Sequence, residues 1–146
     1  MDARFYALYC DDIRHEVGGK VSYMGVYSGV MLTQAMPIIL NKICLMAHLS
    51  IQEDIEFELV HFKVYLGNEL IGENEAHRPH GNFSVEIPKP ESGKRYMSIK
   101  THFEFSPFVV EQETYLKVRA LVNGHEFKGG SLRIQRAPEG TDFPEV

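Results

Sequence analysis

Residues 115–122 alternate without a break, with Leu116, Val118, Ala120 and Val122 at even positions and Tyr115, Lys117, Arg119 and Leu121 at odd ones. Successive side chains of a strand point to opposite faces, so this pattern buries one face of a sheet and leaves the other to water. Asn123-Gly124 follows at once. Both residues accept the positive φ angles of a two-residue hairpin turn, whose twist matches that of the strands it joins. The chain therefore contains an antiparallel hairpin with one buried face.

The remaining segments repeat the theme. Turn signals recur at short intervals, and the stretches between them are rich in Val, Ile, Tyr, Phe and Thr. Residues 5–10 read as a short apolar strand, Asp11-Asp12 as a turn whose carboxylates bond the backbone ahead of them, and 12–17 as the next strand. Gly18-Gly19 then turns the chain into a strand over 20–27. After Gly29, a short strand to Leu32 is expected, with a loop or single helical turn around 36–40, because Pro37 disfavours a strand interior. Residues 43–51, ICLMAHLSI, are apolar on both parities, and periodicity does not separate strand from helix in so short a run; strand is chosen because the neighbours are strands and no helix cap precedes it. Residues 59–66 alternate cleanly, Gly67-Asn68 is a turn and 69–75 the return strand. A polar loop over 76–82, a strand over 83–87, a loop over 88–94 and a strand over 95–105 follow, and Leu132 and Ile134 belong to a last strand. Eight or nine strands of this kind pack most simply as an all-β, antiparallel two-sheet sandwich, Ig-like or C2-like, with a β-barrel as the alternative. One domain over 1–136 is expected, with a polar tail over 137–146.

Composition excludes several classes. Hydrophobic residues make up 44% and charged residues 24% of the 146, as in ordinary globular proteins. The longest uncharged stretch, 21–41, is interrupted by Gly25, Gly29, Pro37 and several hydroxyl side chains, so no membrane span is expected. The first residues show no basic leader with an apolar run and cleavage site, and the cytoplasm is the expected location; Cys10 and Cys44 are then reduced and fill small slots in the packing. Net charge is −5 and the lysines and arginines are scattered singly along the chain. Phosphate-backbone binding draws on clustered positive charge, so no nucleic-acid partner is expected.

Candidate chemistry is sparse. Cys10, Asp11, Asp12, His15 and Glu16 are residue types that serve zinc or a nucleophile with its base. On a strand, however, His15 and Glu16 face opposite sides, and Cys10 stands about 17 Å from His15 in a fully extended chain. His77 and His80, with Glu75 nearby, have a His-x-x-His spacing able to hold a metal, but third and fourth ligands have no evident source. Asp11, Asp12, Glu53, Asp54 and Glu56 are the acids that a calcium site would need to gather, without an Asp-x-Asp pattern to present them. His48, His61, His102 and His125 read as ordinary sheet or turn residues. The motifs of phosphate-binding loops, dinucleotide folds, nucleophile elbows and Cys-x-x-Cys redox centres are missing. Tyr6, Tyr9, Tyr23 and Tyr27 crowd the first strands; packing along the core edge is the plainer reading, and a partly exposed binding surface the sharper one.

The order Ala7-Leu8-Tyr9-Cys10-Asp11-Asp12-Ile13-Arg14, then Glu16, Gly19-Lys20, Ser22 and Gly25-Val26-Tyr27, resembles the opening of a family of small uncharacterised bacterial and phage proteins. SPFVVEQETYLKVRALVNG, residues 106–124, resembles the closing hairpin of the same family. The resemblance implies a compact single domain and transfers no activity and no functional residue. The expected function is a non-enzymatic binding or protein-interaction module without cofactor, holding a protein partner, a small ligand or a second copy through an edge strand or end loops. Tyr23, Tyr27, Asp11 and Asp12 are the expected contact residues. A small hydrolase or metal-dependent enzyme using Asp11, Asp12, His15 and Glu16, or His77 and His80, and a phage accessory or antidefence protein acting by binding, are the alternatives.

Overall fold

A computed structural model of the chain, describing residues 2–79 and 93–143, is built from strands without a helix. Among the described residues the strands are β1 (Ala3–His15), β2 (Val21–Val26), β3 (Val30–Thr33), β4 (Ile38–Leu40), β5 (Ile43–Gln52), β6 (Leu59–Leu66), β7 (Glu69–His77), β8 (Tyr96–Phe105), β9 (Phe108–Val110), β10 (Thr114–Val122), β11 (His125–Lys128) and β12 (Leu132–Arg136). A front sheet has the order β2-β1-β5-β8, and a back sheet the order β3-β12-β10-β6-β7, with β11 paired to β10. The two form a β-sandwich, and among the described residues no sheet closes into a barrel. Pairing among them is antiparallel except between β12 and β3. The strand expected at 83–87, and His80, lie outside the described residues.

The core follows from the alternation. Inner-face rows of the front sheet run Phe5–Leu49–Ile99, Ala7–Ala47–Thr101 and Tyr9–Leu45–Phe103 across β1, β5 and β8. They pack on Val60, Phe62 and Val64 of β6 and on Leu116, Val118, Ala120 and Val122 of β10, all buried. The rings of Phe5 and Phe62 meet between the sheets at 6.1 Å. Full burial of such a side chain contributes about 1.5–3 kcal/mol, so this double layer carries most of the stability. The Tyr9 hydroxyl, carried into the core by its ring, donates to the Gly130 carbonyl at 2.7 Å, so the buried phenol is not left unpaired.

The C-terminal hairpin forms as its sequence dictates: Asn123 has φ 50° and Gly124 φ 77°, the left-handed pair of a type I′ turn, and Val122 pairs with His125. Other segments differ from expectation. Asp11-Asp12 is no turn; β1 runs through it as one strand of 13 residues. The strand ends at His15, and the hairpin is closed by a five-residue loop in which Glu16 N–H donates to the Lys20 carbonyl at 2.7 Å. Residues 38–40 are a strand rather than a loop or helical turn, with Pro37 just outside it, because they pair with the distant β9. Ala76 and His77 extend β7 rather than opening a loop. Among the described residues there are twelve strands, β4 and β9 being the ones without an expected counterpart.

The flank formed by β7 and β8 is stitched shut. Asn74 Nδ2 donates to Thr101 Oγ1 across the sheets, and Gly72 leaves room for the Phe105 ring, 3.1 Å from where a Cβ would stand. On the opposite flank lie the edge strands β2 and β3, whose Met24, Val26, Val30 and Leu32 are exposed.

Candidate interaction surface

Past the Cys10–Cys44 pair, β1 no longer pairs with β5 and continues with β2 as a two-stranded arm. This arm crosses the outer face of the front sheet. The Cys10 thiol donates to the Asp12 carbonyl at 3.4 Å, and the Tyr23 hydroxyl shares a 2.8 Å hydrogen bond with His102 Nε2 on β8. The His15 ring stands edge-on to that of His102, 5.5 Å between centroids. Beneath the arm Cys10, Cys44 and Met46 are buried although they face away from the main core.

The bend lies where Asp11 meets Gly25. Gly25 has φ 67°, and a Cβ there would run into the Asp11 carboxylate. Glycine thus supplies a left-handed backbone position inside the strand pair, at the one step missing from the ladder between Cys10–Val26 and Asp12–Met24, without shifting the register. The Asp11 carboxylate accepts from the Tyr27 hydroxyl at 2.7 Å. Burial, and then Asp11, hold the Tyr27 hydroxyl above its ordinary pKa. Asp12 accepts from Lys42 Nζ at 2.7 Å and from Ile13 N–H at 3.0 Å; the Lys42 hydrogen bond holds its carboxyl below the usual range. Both acids therefore serve to shape and pin the arm. Tyr27 packs against the core, whereas Tyr23 lies over the outer face beside Cys10 and Tyr6, so the two tyrosines belong to different layers. Of the four N-terminal tyrosines, Tyr9 and Tyr27 line the core, while Tyr6 and Tyr23 do not.

Two hydrogen-bonded chains emerge that the sequence reading missed. Tyr6 hydroxyl meets His48 Nδ1, and His48 Nε2 meets Ser98 Oγ at 3.0 Å; Tyr23 and His102 form the other. Burial first, and Lys100 on the same face, lower the His48 pKa; burial, His15 and Lys100 lower that of His102. The signal was present in the alternation of β8, which puts Ser98, Lys100, His102 and Glu104 on one face and Met97, Ile99, Thr101 and Phe103 on the other. The Ser98–His48–Tyr6 order resembles a nucleophile, base and orienting group, and it lies on an exposed part of the front sheet's outer face, with none of the three residues lining either of the two concavities described below.

The thiols are free and directly opposed in register. Burial, followed by the neighbouring Cys44, pushes the Cys10 thiol up to about 11; burial and Glu104 raise that of Cys44. Protonated and covered thiols are poor nucleophiles. His77 stands exposed at the end of β7 opposite Leu59, and its proposed companion His80 lies outside the described residues. Glu75 is opposite His61, whose Nε2 meets Glu73 at 3.2 Å instead. Register also separates the acids weighed for calcium: Gln52 N–H bonds Asp2 at the start of β1, placing 53–56 at the opposite end of the front sheet from Asp11 and Asp12. Among the described residues no three metal-ligating side chains gather. Two surface concavities, of about 420 and 360 Å³, lie at the turns around Val17 and Gly124, and of the side chains weighed above only Glu16 lines one.

With this geometry in view, comparison with protein families places the chain. It belongs to the family of unknown function DUF6941. The family model matches residues 5–135, from the first strand to the last and including the arm. No curated protein matches the chain. No helix among the described residues is long and apolar enough to cross a membrane.

Proposed function

We infer that the protein is a non-enzymatic protein-interaction module that takes its partner along the arm, at the edge strand β2. One observation carries this reading: among the described residues β2 is an edge of the front sheet, and its Met24 and Val26 are 42% and 52% exposed, with Val17 at the arm's tip 93% exposed. An edge strand offers unpaired backbone donors and acceptors to an extended segment, and apolar side chains beside it add the energy that such pairing needs in water. The pinning of the arm by Asp12–Lys42 and Tyr23–His102 supports the same reading, since a surface held in one shape loses less conformational entropy on binding.

The test is capture by the tagged protein from a lysate of its native host, quantified by mass spectrometry for wild type, Met24→Lys/Val26→Lys and Ile39→Lys. Ile39 is the control because it is 69% exposed on β4, away from the arm. A stoichiometric partner lost in the double variant and kept in the control supports the edge. A partner retained by both variants, or no stoichiometric partner at all, contradicts it.

A further inference from the structure

The cations that are scattered through the sequence do not stay scattered in the fold. On the outer face of the back sheet, Arg119 of β10 is paired directly with Lys63 of β6 on one side and Lys128 of β11 on the other. Lys117 is two residues back along β10 and opposite Tyr65, and Arg133 of β12 is opposite Tyr115. Like charges placed directly across a sheet repel and lower stability, so a row of three is an arrangement that folding alone does not favour. The acids of the face meet only part of it. Glu126 lies 3.9 Å from Arg119, and Glu73, directly across from Lys63 in the β6–β7 register, forms its ion pair with His61. Glu75 is opposite His61 on β7, the last strand of the sheet among the described residues. Among the described residues Lys117, Lys128 and Arg133 form no ion pair with an acid, and Lys63 has Glu73 as its cross-strand neighbour.

Two aromatic rings are set among these cations. Tyr115 is 46% exposed with the Arg133 guanidinium 5.8 Å from its ring centre, and Tyr65 is half-buried beside Lys117. Strands stand about 4.8 Å apart and same-face residues about 6.8 Å apart along a strand, a grid that matches the spacing of phosphates along a single-stranded nucleic acid. Flat sheet faces carrying cations and exposed rings bind single strands by phosphate contact and base stacking. We propose that the outer face of the back sheet, centred on Lys63, Lys117, Lys128, Arg133 and Tyr115, is a binding surface for single-stranded nucleic acid. It is separate from the β2 edge, and either reading stands without the other. An acidic polypeptide satisfies the charges but leaves the rings unused, which is why the nucleic acid is favoured. The acidic border on β7 confines the strand's path to the β12–β10–β6 side of the face.

The experiment is fluorescence anisotropy with fluorescein-labelled single-stranded dT12, from 20 to 200 mM NaCl, alongside a labelled 12-residue glutamate peptide. Four phosphate contacts predict a slope of log K against log salt of about −3. Lys63→Ala/Lys117→Ala reduces that slope by about 1.4, and Tyr115→Ala weakens dT12 by about tenfold without changing it. All three positions are on the outer face, and unchanged melting temperatures check that the variants fold. Absence of dT12 binding at 20 mM salt, binding indifferent to the lysine pair, or a glutamate peptide that binds as tightly as dT12 and ignores Tyr115→Ala would each overturn the proposal, the last assigning the face to an acidic protein segment.

Discussion

On the outer face of the front sheet Cys10, Cys44 and Met46 are buried, whereas on the outer face of the back sheet Lys63, Lys117 and Tyr115 reach water. Both sheets contribute an inner face to the same core, and both have a second face that a sandwich alone would leave exposed. The difference is the arm of β1 and β2, which crosses the front sheet and makes a third layer over part of it. Its limits are visible along β5: residues 43–47 are buried on both parities, and beyond His48 burial alternates. A covered face needs apolar or small side chains and satisfied polar groups, and it has them in the thiols, Met46 and the Tyr23–His102 pair. A bare face is free to carry charge.

The largest effect should come from the covered face. Met46→Ala is expected to cost about 2–5 kcal/mol, as for a core methionine, while Lys117→Ala stays within about 0.5 kcal/mol; urea unfolding of the two variants measures the contrast. A Met46 variant as mild as the lysine variant would mean that the arm does not cover the sheet. Next is the bend itself. Gly25→Ala forces a side chain into left-handed backbone and against Asp11, at a cost of about 1–3 kcal/mol, and should raise amide exchange in β2 before that of β10. Equal exchange in both strands would place the bend's role elsewhere.

On the back sheet, Asn123→Ala is expected to cost about 1–2 kcal/mol, from the left-handed turn position and the lost hydrogen bond from Asn123 Nδ2 to the Glu56 carbonyl. Thermal unfolding reads it. The smallest effect is pH dependence. His48 and His102 have folded pKa values below 6.5, so the unfolded chain binds more protons as pH falls. Their contribution is complete above the unfolded value and is lost as pH drops below about 6.5 toward the folded values. Denaturant unfolding at pH 7.5 and 5.5 should show lower stability at 5.5, and His102→Gln should flatten the difference; an unchanged difference would remove His102 from the network.

Much of this was legible in the chain and some was not, for physical reasons. The alternation of 59–66 and 115–122 with Asn123-Gly124 announced the back sheet because each signal is local and each strand has one wet face. The run 43–51 was ambiguous between strand and helix because it is short and because both faces of its first half, 43–47, are buried, which erases there the period of two that marks a half-exposed strand. Residues 38–40 were missed because their partner, β9, is some seventy residues away. Asp11-Asp12 looked like a turn because two adjacent aspartates usually make one; here Tyr27 and Lys42, both distant in sequence, take up the carboxylates. The same limit concealed the cations of the back sheet, which come from β6, β10, β11 and β12 and meet only through register.

Native-state thiol labelling tests the covered face most directly. With a coloured disulfide reagent at pH 8, Cys10 and Cys44 are predicted to react slower by about a hundredfold or more than in the urea-unfolded chain, since reaction waits on opening of the arm. Two thiols reacting in native buffer as fast as in urea would contradict the burial of that face and with it the contrast between the two sheets.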